Sequence, residues 1–297
     1  SSLPERLRNY VTANPHVVIA ASIPALFLSL CLMLWGGKAG IHERAAVDYQ
    51  VYRWAVHTWL SGGDIINDAP TTSIGRVLPW VYPPFALLPL LPLSLIAFIP
   101  GLLLLFAIDL ATVGTVCYLV VRRMWPDVGR HGAAAVAAAL LPLALFLEPV
   151  YACFGLGQVN IALMGLVAVD CLTRQPRWPR GLLVGIAAAI KLTPAAFLLF
   201  FLVRRDFRAA LVTTVTAVSC TGIGFLLNFD ASVDYWFGRG PAHGVSGSTF
   251  HTNQSILGGL ARLGLPAPVQ TGTWLLASAA LVVLAAYIIR HVDVPLA

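Results

Sequence analysis

Long apolar runs alternate along this chain with tight arginine clusters: Arg122-Arg123, the turn from Arg174 to Arg180, and Arg204-Arg205-Asp206-Phe207-Arg208. An apolar run of about 20 residues crosses a bilayer as a helix, because hydrocarbon offers no water to an open backbone. Basic clusters flanking such runs stay on the cytoplasmic side. Together these rules leave an all-α, polytopic transmembrane helical bundle. With 58% apolar and 11% charged residues and a mean hydropathy of +0.81, the chain lies outside the range of soluble domains. No strand-like alternation suggests a barrel. The formal charge of +6 sits in inter-helix turns with no continuous patch, so it reads as topology and excludes a nucleic-acid partner. The five cysteines are scattered through apolar segments without metal or redox spacing and read as packing residues.

The charge rule assigns the spans within one domain over residues 1–297. The first, about 16–35, follows the basic Pro-Glu-Arg-Leu-Arg segment and is too long for the core of a cleaved signal peptide. It leads to an extracytoplasmic loop, 37–81. Residues 82–97, broken by prolines, read as a short or re-entrant piece before a span at 100–121. Spans follow at 132–148 and 158–173. The apolar stretch 181–203 begins and ends at basic turns and carries Lys191 and Pro194 in its middle, so one crossing would place a basic cluster outside. Two half-length helices meeting near Lys191-Leu-Thr-Pro194 satisfy the rule, as broken helices are tolerated where they line a protein cavity. A span at 208–229, a second extracytoplasmic loop at 230–268 and a span at 270–290 complete the reading.

With the arginine clusters inside, the polar motifs collect on the opposite face. Residues 47–60 place Tyr52, Ala55, Val56, Trp59 and Leu60 at helical spacing before Gly62-Gly63, which predicts an interfacial helix with aromatic residues at headgroup depth. Asp48 at its start is either an N-cap carboxylate or a general base for a hydroxyl. Arg53 on the same helix is a candidate to hold a sugar or acceptor. Tyr82, in Tyr-Pro-Pro-Phe, offers a hydroxyl or simply marks an aromatic belt. Gln158 and Asn160 in Gly157-Gln-Val-Asn160 suit sugar hydroxyls or helix capping. Lys191 is costly in lipid; it pairs with an anion such as a phosphate or with the embedded Asp109 or Asp170. In the last loop His251, Asn253 and Gln254 are candidate sugar contacts, and Arg262 is a second phosphate candidate or a solvated surface arginine.

The chain has no Asp-x-Asp, no Walker or dinucleotide glycine pattern, and no His or Cys cluster with metal spacing. A nucleotide-diphosphate donor calls for a metal or a basic clamp, whereas isolated cations suffice for one phosphate. No metal and no cofactor are expected. A lipid or anion transporter, or a flippase, is the competing class, with Lys191 as a mid-membrane anion site.

In this order, Asp48-Tyr-Gln-Val-Tyr52, Tyr82-Pro-Pro-Phe85, Gly157-Gln-Val-Asn160, Lys191-Leu-Thr-Pro194 and Asn253-Gln-Ser255 resemble the actinobacterial GT-C-type mannosyltransferases that use polyprenyl-phosphate mannose. The likeness is greatest to the members acting on phosphatidylinositol mannosides. It runs from about residue 16 to 291. The resemblance implies a GT-C-like bundle in the plasma membrane with its active site on the extracytoplasmic side, and Asp48 as the catalytic aspartate. It also implies metal-independent, inverting transfer of mannose from a polyprenyl-phosphate donor to a phosphatidylinositol mannoside acceptor, making an α-1,2 bond. A related arabinofuranosyl or lipomannan-branching transferase remains open. Further membrane helices with a Ser-Trp-x-His-His type motif are expected beyond Ala297.

Overall fold

The structure, a computed structural model, describes residues 3–35, 46–238, 248–249 and 253–291. Among these are fourteen α-helices: α1 (Leu3–Ala13), α2 (Pro15–Trp35), α3 (Val47–Leu60), α4 (Leu87–Leu95), α5 (Phe98–Met124), α6 (Gly129–Ala144), α7 (Glu148–Leu156), α8 (Asn160–Leu172), α9 (Leu182–Ile190), α10 (Phe197–Val203), α11 (Phe207–Leu227), α12 (Phe229–Val233), α13 (Ile256–Arg262) and α14 (Ala267–His291). Four stretches are long and apolar enough to cross a membrane: Pro15–Leu34, Phe98–Met124, Phe207–Leu227 and Ala267–His291. The chain is a polytopic helical membrane protein.

Its two ends differ in chemistry. At one end Arg123 Nε donates to the Leu172 carbonyl (2.7 Å), and Arg180 donates to the carbonyls of Asp170, Cys171 and Thr173. Arg204 reaches the Ile289 carbonyl at the same end of α14 as Arg290. The last carbonyls of a helix lack partners within it, so guanidinium groups fit there both as donors and as charges facing the negative end of the dipole. At the other end Trp59 Nε1 donates to the Leu227 carbonyl, tying α3 to the far end of α11 (3.1 Å).

Residues 181–203 do not cross. Gly181 lies against Ala209 and Thr213, with Thr213 Oγ1 donating to the Gly181 carbonyl (3.1 Å), and Gly185 lies against Thr216. The ascending limb α9 therefore runs parallel to α11 from the arginine end. The Gly-x-x-x-Gly spacing lets the two backbones approach closely. At Lys191 the chain turns through the short 3-10 segment Thr193–Ala196, and α10 returns to the arginine end, where α11 begins. Asp170 anchors the base of this hairpin, accepting from Trp178 Nε1 and from the amides of Gly181 and Val184 (all 3.0 Å). That occupies one of the two carboxylates expected as partners for Lys191.

Residues 82–97 stay at the opposite end. Tyr82 meets Tyr52 of α3 at one limit, and Ile96 accepts from Arg53 of α3 at the other. Helix α3 roofs this piece, burying Tyr49, Tyr52, Ala55 and Val56, while Leu60, expected on the same face, is exposed.

Two expected spans are altered. The 132–148 run ends as α6 at Ala144, just after Pro142, and continues in α7 at an angle of 70°. The 158–173 run is a helix of 13 residues, rising only about 20 Å where a hydrocarbon core is about 30 Å thick.

Candidate active site

The site begins with a glycine. Gly157 ends α7 in the left-handed conformation (φ 66°), and a Cβ there would stand 2.7 Å from the Cβ of Ala46 and 2.9 Å from that of Tyr49. Only glycine permits both the backbone angle and the approach. The Ala46 amide closes the contact by donating to the Gly155 carbonyl (3.2 Å). The α7–α8 loop is thereby pressed against the start of α3, which carries Gln158 to Asp48.

Asp48 is not an N-cap. Ala46 precedes the helix, without a side-chain cap bond, and Asp48 is its second residue. Its Oδ2 accepts a short hydrogen bond from Gln158 Nε2. Gln158 Oε1 accepts from Asn160 Nδ2 (2.6 Å), and Asn160 Oδ1 accepts from Lys191 Nζ (2.8 Å). A carboxylate on the roof helix and an ammonium at the tip of the re-entrant hairpin are thus joined through two amides.

An aromatic wall closes the circuit. Lys191 Nζ lies 5.2 Å from the centroid of the Tyr82 ring, a cation–π contact. Tyr82 and Tyr52 share a hydrogen bond between their hydroxyls (2.8 Å), and Tyr52 stands one turn beyond Asp48 on α3. Trp80 packs against both tyrosines. Burial, with the nearby Tyr82 hydroxyl and Asp48, pushes the Tyr52 phenol well above its ordinary range, so it remains a neutral donor.

Burial also raises Asp48 above the usual carboxylate range, opposed by the Gln158 hydrogen bond and then by the charge of Lys191. A carboxylate shifted this way is a stronger base than a solvated one. From Asn160 and Lys191 an apolar cavity of about 630 Å³ runs down between α8 and α10, past Leu163, Val167, Phe197 and Phe200. A charged head group beside an apolar trough suits an anionic lipid.

The other expected residues that are described make the following contacts. Arg53 clamps the end of α4, donating to the Ile96 carbonyl (2.6 Å) and the Leu93 carbonyl (3.3 Å) and lying over the rings of Tyr49 and Phe98. Arg262 donates to the Asn253 carbonyl (2.9 Å), Asn253 donates to the Ser248 carbonyl (2.9 Å), and Gln254 is exposed. His251 lies outside the described residues. Asp109, the other expected partner of Lys191, is buried in α5 with no hydrogen-bond partner for its oxygens among the described residues. Tyr52 and Gly157 were not among the expected site residues. The spacing of four from Asp48 to Tyr52 was the available signal for the first.

Within a helical membrane bundle, a carboxylate and an ammonium thus face one polar junction above an apolar trough. The pattern defining glycosyltransferase family 87 matches residues 80–296, and the chain belongs to that family. Asp48 precedes the matched stretch. A polyprenol-phosphate-mannose-dependent alpha-(1-2)-phosphatidylinositol mannoside mannosyltransferase of Mycolicibacterium smegmatis is 36% identical over 89% of this chain and 63% of its own length. The protein of the same description from Mycobacterium tuberculosis is 34% identical over 83% of this chain and 60% of its own. A pentamannoside mannosyltransferase of M. smegmatis, also polyprenol-phosphate-mannose-dependent, is 32% identical over 85% and 62%. The chain spans about three fifths of the length of these curated relatives. No solved structure matches it.

Proposed function

We propose that this site transfers mannose from polyprenyl-phosphate mannose to a phosphatidylinositol mannoside, inverting the anomeric carbon to form an α-1,2 bond without a metal, at the extracytoplasmic face of the plasma membrane. The observation that carries this reading is the shared junction of Asp48 and Lys191 across Gln158 and Asn160. The activities for which the relatives are named supply the donor and acceptor. The arginine clusters at the opposite end supply the sidedness through the positive-inside rule.

Asp48 takes the proton of a mannose 2-hydroxyl as that oxygen bonds to the anomeric carbon of the donor. The bond from that carbon to the phosphate oxygen breaks on the opposite face, and its electron pair leaves with the polyprenyl phosphate. An ammonium has three N–H groups, and Lys191 directs one to Asn160, leaving donors for the leaving phosphate, where charge builds in the transition state. The apolar trough accommodates the prenyl chain, so both lipids enter from the membrane. The proton then leaves Asp48 to solvent.

Purified protein in nanodiscs, supplied with radiolabelled polyprenyl-phosphate mannose and a phosphatidylinositol mannoside, should label the acceptor through a new α-1,2 linkage, with EDTA having no effect. Movement of label across a liposome membrane with no new glycosidic bond would instead identify a carrier.

A further inference from the structure

Gln158 and Asn160 were expected to hold sugar hydroxyls, yet each has committed its carbonyl and an N–H within the bridge. An ammonium only donates and a carboxylate only accepts. Lys191 therefore fixes Asn160 Oδ1 as an acceptor, which turns Nδ2 toward Gln158 Oε1 and leaves Gln158 Nε2 facing Asp48. All three hydrogen bonds run in one direction. Reversing either amide brings two acceptors or two donors together, so the two charged ends set the orientation of everything between them.

We propose that Gln158 and Asn160 are positioning residues, forming a one-way amide bridge that holds Asp48 ionised and aimed, and that links the base to the cation receiving the donor phosphate. The proposal rests on the assignment of Asp48 as base and Lys191 as phosphate cation. A direct ion pair would neutralise both residues and leave a weak base beside a spent cation. Two interposed amides keep the charges apart while letting each polarise the other. The titratable groups facing Asp48 are Lys191, Tyr52, Tyr82 and Cys153. The tyrosines stay neutral through the working range. Gln158 is the neighbour that donates a hydrogen bond to the carboxylate.

The test uses the full chain in nanodiscs, as wild type, Gln158→Met, Asn160→Asp and the double variant, each with and without Asp48→Asn. The difference in thermal stability between each protein and its Asp48→Asn partner, followed against pH, reports the titration of Asp48 without requiring turnover. Loss of a hydrogen bond to the ionised form should move that titration up by about one pH unit in Gln158→Met. Asn160→Asp should move it similarly although residue 160 does not bond to Asp48, because its new carboxylate draws the Gln158 amide away. In the double variant the Asn160→Asp effect should largely vanish, whereas a simple charge effect would add. In the transfer assay the acid limb of kcat should follow the same shifts, with Gln158→Met about tenfold slower at any pH on that limb, recovering at higher pH, and its KM values changed less than threefold. An unmoved titration in Gln158→Met, additive shifts in the double variant, or a tenfold rise in KM with a fixed acid limb would each overturn the bridge. Absence of mannosyl transfer in the wild type would overturn the functional reading alone, since the stability measurement decides the bridge independently.

Discussion

Asp48 and Lys191 face one polar junction without touching, their charges separated by the side chains of Gln158 and Asn160. Each comes from an element that does not cross the membrane: Asp48 from the roof helix α3, Lys191 from the tip of the re-entrant hairpin. The crossing helices supply a frame, and the two non-crossing elements meet inside it. Most of what can be tested follows from that meeting.

Asp48→Asn keeps the shape and the acceptor for Gln158 but removes the base. Mannosyl transfer should fall by about 10²- to 10⁴-fold with donor binding nearly intact. Single-turnover kinetics with bound labelled donor measures this, and a variant as fast as wild type removes Asp48 from the chemistry.

The direction of the Asp48 shift also sets a pH dependence. Because burial raises its folded value above the ordinary carboxylate value of 3.8, the folded state holds the proton more tightly than the unfolded state between those two values. Stability therefore falls as pH rises through that window, by the linkage relation. Asp48→Asn, which cannot ionise, should unfold at a higher temperature than wild type at pH 7, with the gap closing as pH approaches the unfolded value. Transfer runs the other way, increasing with pH as Asp48 ionises. Scanning calorimetry paired with a pH–rate profile checks both signs.

Lys191→Ala removes the ammonium at the head of the apolar trough. Transfer should slow by about a hundredfold, roughly 3 kcal/mol of lost charge stabilisation. Lys191→Arg should restore little, since a planar guanidinium cannot occupy the same point between Asn160 and the Tyr82 ring. Steady-state kinetics on both variants tests this; full activity in Lys191→Ala would contradict the assignment.

Gly157→Ala should destabilise the protein by about 1–2 kcal/mol through its left-handed backbone alone. The new methyl would also meet Ala46 and Tyr49 and lift the α7–α8 loop from α3. Activity should fall further than stability, because Gln158 moves with the loop. Ala46→Gly, placed with Gly157→Ala, should recover part of it.

Sidedness can be read with cysteines. Ser61→Cys, in the turn after α3, should react with a membrane-impermeant maleimide on intact cells, and Gln175→Cys, in the arginine turn, only after permeabilisation. The reverse pattern would place the site in the cytoplasm.

Much of the frame was legible from residue order. Arginine clusters at both limits of 181–203 implied a stretch that returns, and α9 and α10 do return, with Lys191 at the turn. Helix α3 was readable because a helical apolar face ended at Gly62-Gly63, and Gly62 adopts φ 77° there. The bounds of α8, Asn160–Leu172, lie inside the expected 158–173 run, but that a helix of 13 residues falls short of a full crossing was not read from it. The partners of Arg53 were not readable either, since the carbonyls of Leu93 and Ile96 come beneath it only when α4 packs on α3.

Hydropathy and charge are local preferences for lipid or water, so the sequence by itself determined the solvent, the arginine end, the broken stretches and the residue types that bear chemistry. Which of those residues meet depends on contacts between segments distant along the chain, such as the approach of Gly157 to Ala46, and these arise only when the helices pack. The tertiary structure alone decided that Asp48 binds Gln158 rather than capping its helix, and that Lys191 reaches Asn160 rather than a buried carboxylate.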